Sequence, residues 1–63
     1  MRKALIAYRG VRSQEKMGKL FGVSQQTWSA WEVGRATPPA NTMQKIAKMS
    51  NQSIETLFPD IFN

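Results

Sequence analysis

Ser13 to Gly34 reads SQEKMGKLFGVSQQTWSAWEVG, and the rest of the 63-residue chain can be placed around this stretch. It predicts two short helices joined by a tight glycine turn. Ser13 is the expected N-cap of the earlier helix, its hydroxyl accepting from a free backbone N–H two or three residues on. Met17, Gly18 and Phe21 then form an apolar stripe at positions i, i+1 and i+4. Gly22 stands where helices commonly end in a left-handed residue. Ser24 caps the later helix, which runs to Glu32 or Val33 and stops before Gly34. Gln25 and Gln26 open it, a pair poorly suited to packing and well suited to hydrogen bonding.

Helical spacing sorts this later helix into two faces. Trp28 and Trp31 share one side with Glu32 beside them. Gln26, Ser29, Ala30 and Val33 fall on the other, with Gln25 at its edge. The tryptophans are therefore expected in the core, not as exposed platforms for stacking single-stranded bases. Ser29 and Ala30 keep the outer face slim enough for a major groove about 12 Å wide. A glutamine can bond adenine N6 and N7 together, a discrimination of roughly 1–3 kcal/mol per good pair. Ala30 can meet a thymine methyl. The plainer alternative is a solvated face of ordinary polar residues.

A glycine inside a helix costs about 1 kcal/mol against alanine, so Gly18 needs a reason. The expected one is close approach of the two helices, with Gly18 making room for Trp28 and Trp31. Met17, Gly18, Phe21, Val23, Trp28 and Trp31 are the expected structural core of the two-helix unit. Leu20 falls off the stripe and is expected on the surface, within reach of a partner.

Outward from this unit, three more helices can be drawn and no strand. The first covers Arg2 to Arg9, with Leu5 and Tyr8 on one face and Gly10 ending it. Pro39 is placed to start the fourth, because a first-turn proline loses no hydrogen bond; Met43, Ile46, Ala47 and Ser50 face inward along it. Ser53 caps a last helix from Ile54 to Phe58, in which Ile54, Leu57 and Phe58 pack, and Pro59 stops it. The expected fold is all-α, a compact five-helix bundle making one domain over residues 1–63, with its helix-turn-helix core at 13–34. A domain this small buries only about 60% of the surface its unfolded chain exposes.

Composition narrows the function. The chain has no cysteine and no histidine, and its acids are Glu15, Glu32, Glu55 and Asp60. Disulfides, thiolate metal sites and the commonest metal ligand and general base are all absent, so neither an enzyme nor a metal or other cofactor is expected. Nine Lys and Arg against four acids give a net charge of +5. That balance suggests a polyanionic partner, nucleic acid before anionic membrane. The basic residues, from Arg2 to Lys48, are spread along the chain, which suits a folded surface better than a disordered tail. Met1-Arg2-Lys3 leads into no signal-peptide core, and no apolar run approaches the ~20 residues of a membrane span. A cytoplasmic protein is expected.

The stretch from Ser13 to Gly34 resembles the helix-turn-helix of the lambdoid-phage Cro and repressor class, the XRE-type family. The resemblance runs from about Leu5 to Phe58 and is carried by Ser13-Gln14, Gly22-Val23-Ser24 and Trp31-Glu32 followed by Gly34. It implies a lambda-repressor-like bundle, with the third helix in the major groove of double-stranded DNA and the second across the backbone. Carried over by residue, Gln25, Gln26 and Ala30 meet base edges, and Ser29 lies near base or phosphate. Gln14 and Arg35 reach phosphates, with Arg12 and Lys16 adding charge there. Glu32 matches a carboxylate that pairs with an arginine of the first helix, here Arg9. Val33 stands where many relatives carry an asparagine that holds a phosphate.

The function expected on these grounds is a sequence-specific regulator of transcription, a repressor acting by steric exclusion at a promoter. A two-fold homodimer is expected, in solution or only on DNA, with Phe58, Ile61 and Phe62 as its contact. Alternatively Ile61 and Phe62 fold back on the core. The other readings are an antitoxin of a toxin–antitoxin pair, or a protein-interaction module that keeps the fold without binding DNA.

Overall fold

Three serines set the starts of three helices. In the computed structural model, which describes residues 1–62, the Ser13 hydroxyl accepts from the Lys16 N–H at 3.0 Å, Ser24 from Thr27 at 3.1 Å and Ser53 from Thr56 at 3.0 Å. They open α2 (Gln14–Leu20), α3 (Gln25–Val33) and α5 (Ile54–Leu57). Each such cap is worth about 1 kcal/mol. The remaining helices are α1 (Lys3–Arg9) and α4 (Ala40–Ser50), and a 3₁₀ turn follows over Pro59–Phe62. The all-helical bundle is as the sequence predicts, and no strand occurs among the described residues.

The turn between α2 and α3 closes as a six-residue hydrogen-bonded cap. The N–H of Val23 donates to the Gly18 carbonyl at 2.8 Å and that of Gly22 to Lys19 at 3.3 Å. This pairing satisfies carbonyls that the end of α2 would otherwise leave open. It needs a left-handed residue, and Gly22 supplies it with φ of +72°.

Gly18 is small for a different reason than expected. A Cβ built on it would lie 2.5 Å from the Val23 carbonyl oxygen and 3.0 Å from that of Ser24. The turn backbone, not the tryptophans, occupies that space. The cap folds the chain back over the last turn of α2, and only a residue without a side chain can lie beneath it.

Every helix contributes to the core: Leu5 from α1, Met17 from α2, Trp28 and Trp31 from α3, Ile46 from α4 and Leu57 from α5, with Phe58 just beyond. Burying each such aliphatic side chain contributes roughly 1.5–3 kcal/mol. Phe21 and Val23 are half-buried and pack against this cluster, as do Met43, Ala47 and Ile54. Phe21 stacks on Trp28 at 5.5 Å between ring centres, and Trp28 meets Trp31 edge-on at 5.7 Å.

Three expectations at element ends change. Pro39 is the N-cap of α4 and not its first residue. Asn51, in place of a glycine, ends α4 in the left-handed conformation at φ of 55°. Phe58 is wholly buried, so it cannot serve as a dimer contact, whereas Ile61 and Phe62 are exposed. Those two do not fold back on the core. Leu20 is on the surface, as its position off the stripe predicts.

Candidate nucleic-acid interface

The two faces of α3 separate in the structure as the spacing predicts. Trp28, Trp31 and Glu32 are buried, Gln25, Gln26 and Val33 are exposed, and Ser29 and Ala30 are half-buried. The glutamine pair occupies the first turn, immediately after the capped turn from α2. Arg35 is exposed just past Gly34, which ends α3 in the left-handed conformation with φ of 86°. Lys16 is exposed in the first turn of α2.

Glu32 fixes the orientation of this helix. Its carboxylate accepts from Arg9 Nε at 2.6 Å and Nη2 at 3.3 Å, from Gln14 Nε2 at 3.0 Å and from Trp28 Nε1 at 2.5 Å. One acid on α3 thus ties α1, the start of α2 and a core indole together. Burial pushes the Glu32 carboxyl up, but the three hydrogen-bonding partners and the Arg9 charge outweigh it and hold it below its ordinary value. A charge at this depth is tolerable only when paired and fully bonded, and Glu32 meets both conditions. The Arg9–Glu32 pair implied by the family resemblance is present.

Gln14 and Arg12 have partners that the sequence did not disclose. Gln14 is half-buried and uses one amide N–H on Glu32; its second N–H and its carbonyl oxygen are the groups a phosphate or its water shell could engage. Arg12 caps the end of α1, donating from Nε to the Arg9 carbonyl at 3.1 Å and from Nη2 to the Tyr8 carbonyl at 2.6 Å. Its guanidinium also lies 5.0 Å from the centre of the Tyr8 ring. Arg9 in turn donates from Nη1 to the Arg12 carbonyl at 3.0 Å. The loop of residues 10–13 is therefore held by arginines on both sides.

One basic residue leaves the surface altogether. Arg2, counted among the dispersed surface charges from sequence, is 2% exposed and forms an ion pair with Asp60 at 2.9 Å. Its partners lie 29 to 58 residues away along the chain, so no local spacing could reveal it. Lys3, Lys16, Lys19, Arg35, Lys45 and Lys48 remain exposed.

Residues 12–57 match the family described as Helix-turn-helix. The plasmid copy control protein CopR of Streptococcus agalactiae is 30% identical over 53 residues, which cover 84% of this chain and 58% of that protein. The chain thus spans little more than half the length of that curated relative. No solved structure gives a significant match. The family model covers most of the chain, and the structure carries the capped turn and two-faced third helix within the matched residues: this chain belongs to the XRE-type helix-turn-helix family.

Proposed function

We propose that the protein is a sequence-specific reader of double-stranded DNA that represses transcription by occupying a promoter. The observation that carries this reading is the exposed glutamine pair on the first turn of α3, a helix locked from behind by Glu32 and two buried tryptophans. α3 lies in the major groove with α2 across the backbone. Gln25 and Gln26 read base edges, Ala30 meets a thymine methyl, and Ser29 contacts base or phosphate. Gln14, Lys16 and Arg35 hold phosphates, and Arg12 adds charge through the N–H groups it does not use on α1. These contacts set register and salt-dependent affinity; the glutamines set sequence preference. The name of the relative, a plasmid copy control protein, supports a regulatory role of that kind. The protein works in the cytoplasm. It binds as a two-fold dimer on half-sites about one helical turn apart, with the exposed Ile61 and Phe62 at the contact.

Fluorescence anisotropy against the DNA upstream of its own gene and against a random duplex, at two salt concentrations, tests the reading. Tighter binding to the upstream DNA at both salts, lost in the Gln25→Ala/Gln26→Ala variant while random-duplex binding persists, is the expected result. Equal losses on both duplexes would remove the glutamines from sequence reading. Absence of binding to either duplex at low salt would replace the repressor with a protein-interaction module.

A further inference from the structure

Arg2 is the buried charge that the DNA reading leaves without a role. It precedes α1 by one residue, and all five of its guanidinium N–H groups are engaged inside the protein. Nη1 donates to the carbonyls of Trp31 at 2.9 Å and Ala36 at 2.7 Å. Nη2 donates to Thr37 Oγ1 at 2.8 Å and Asp60 Oδ2 at 2.9 Å, and Nε to Asp60 Oδ1 at 3.0 Å. Five donors are all a guanidinium has, so none is left for a phosphate. Its backbone N–H also donates, to the Glu32 carbonyl at 2.8 Å.

Most of these partners gather at the end of α3 and the loop after it. The last turn of α3 holds no basic residue of its own, although its open carbonyls carry partial negative charge that favours a cation. Arg2 brings that cation from the far end of the chain. The loop is pinned from a second side as well: the N–H groups of Gly34, Arg35 and Ala36 all converge on the Ala30 carbonyl, at 3.1, 3.0 and 3.3 Å. Arg35 is the charged residue of this loop, and it is exposed. Its backbone is thus held between Ala30 on one side and Arg2 on the other. A long side chain on a fixed base loses less freedom on contacting a ligand than one on a mobile loop.

We propose that Arg2 is the positioning residue for Arg35, gripping the Ala36 carbonyl and the Thr37 hydroxyl so that Arg35 meets a DNA phosphate from a fixed loop. The proposal rests on the reading of Arg35 as a phosphate ligand, and its test separates the two. Arg2→Lys keeps a cation but loses the planar fork. Affinity for a random duplex would be measured from 50 to 200 mM salt for the natural chain, Arg35→Ala, Arg2→Lys and the double variant, each checked for helix content and melting. One phosphate contact changes the slope of log affinity against log salt by about 0.9, or about 3.5-fold in affinity over that range. Arg35→Ala is expected to flatten the slope by that amount. Arg2→Lys should flatten it in the same direction, and should change nothing further once Arg35 is alanine.

A purely structural Arg2 would lower affinity equally in both backgrounds or leave the slope untouched, and either result overturns the proposal. If Arg35→Ala itself leaves the slope unchanged, the phosphate reading of Arg35 fails and takes the proposal with it. Should Arg2→Lys not fold, Thr37→Val decides the matter: a smaller flattening confined to the Arg35 background supports positioning, and an unchanged slope overturns it.

Discussion

Glu32 and Arg2 are buried ions of opposite sign that both act on the last turn of α3, Glu32 from within it and Arg2 on its open end and the following loop, and they are held differently. Around Glu32 the bonding is side chain to side chain, with a counter-ion, Arg9, that is itself only 23% exposed. Around Arg2 two of the five guanidinium bonds go to backbone carbonyls and three to Thr37 and Asp60, and Asp60 is 51% exposed. Glu32, in the last turn of α3, ties that turn to the end of α1 and the start of α2. Arg2 fixes where α3 ends and how the chain leaves it. A side-chain cluster of this kind fails as a unit when its centre is lost, because each remaining partner is left buried and unpaired. The Arg2 cluster fails in smaller steps, since its half-exposed partner Asp60 can turn to water when the guanidinium is lost.

Breaking the Glu32 cluster should have the largest effect. Glu32→Ala leaves Arg9 without its counter-ion and the Trp28 indole N–H without an acceptor, at a cost of about 3–5 kcal/mol. That is comparable to the whole stability of a domain this size, roughly 3–9 kcal/mol. Far-UV circular dichroism should show a chain largely unfolded at 25 °C, and a cooperative melt close to that of the natural protein would show that the cluster is not the keystone.

Arg2→Met comes next. It keeps the stem that packs near Phe58, whose ring centre lies 5.0 Å from the guanidinium carbon, and loses the charged hydrogen bonds. The expected loss is about 1.5–3 kcal/mol, read as a lower urea midpoint in a protein that still unfolds cooperatively. A loss larger than that of Glu32→Ala would reverse the comparison.

Acid sharpens the same contrast. The carboxyls of Glu32 and Asp60 are both lowered, from ordinary values of 4.5 and 3.8; burial works against this in Glu32, and the hydrogen bonds from Arg2 are the main cause in Asp60. A carboxyl held low binds protons more readily in the unfolded chain, so its contribution is present above the ordinary value and is lost as pH falls towards the lowered one. Stability should therefore be nearly flat from pH 7 to about 5 and decline below that. No histidine is present to add a step between. Urea midpoints from pH 7 to 3 should show most of this decline retained in Asp60→Asn, whose midpoint at pH 7 moves least of the three variants. A decline abolished by Asp60→Asn would assign the acid sensitivity to the Arg2 end.

Helix starts and faces were legible because they depend on residues within one or two turns of each other. The serine at each of three caps bonds three residues ahead, and Trp28 and Trp31 lie on one side by helix geometry alone. Gly22 and Gly34 were legible because helices commonly end in a left-handed residue, a conformation glycine adopts without strain. The candidate reading face was legible for the same local reason, and the family resemblance supplied the Arg9–Glu32 pair that spacing could not. Gly18 was recognised as small but given the wrong neighbour, since nothing in the spacing says which backbone folds back over it. The cap that Arg12 forms on α1 and the bond from Gln14 to Glu32 are not legible, because a contact formed in space looks like any exposed polar residue in sequence.

The sequence by itself determined the five helices, the inward and outward faces of α3 and the family. Tertiary structure alone decided that Arg2 lies inside, that Phe58 is core while Ile61 and Phe62 are surface, and that Gln14 supports Glu32. The reason lies in separation along the chain. Capping and amphipathic spacing act over three or four residues, whereas the partners of Arg2 lie up to 58 residues away. They meet only once the bundle has closed, and a list of residues carries no record of that meeting.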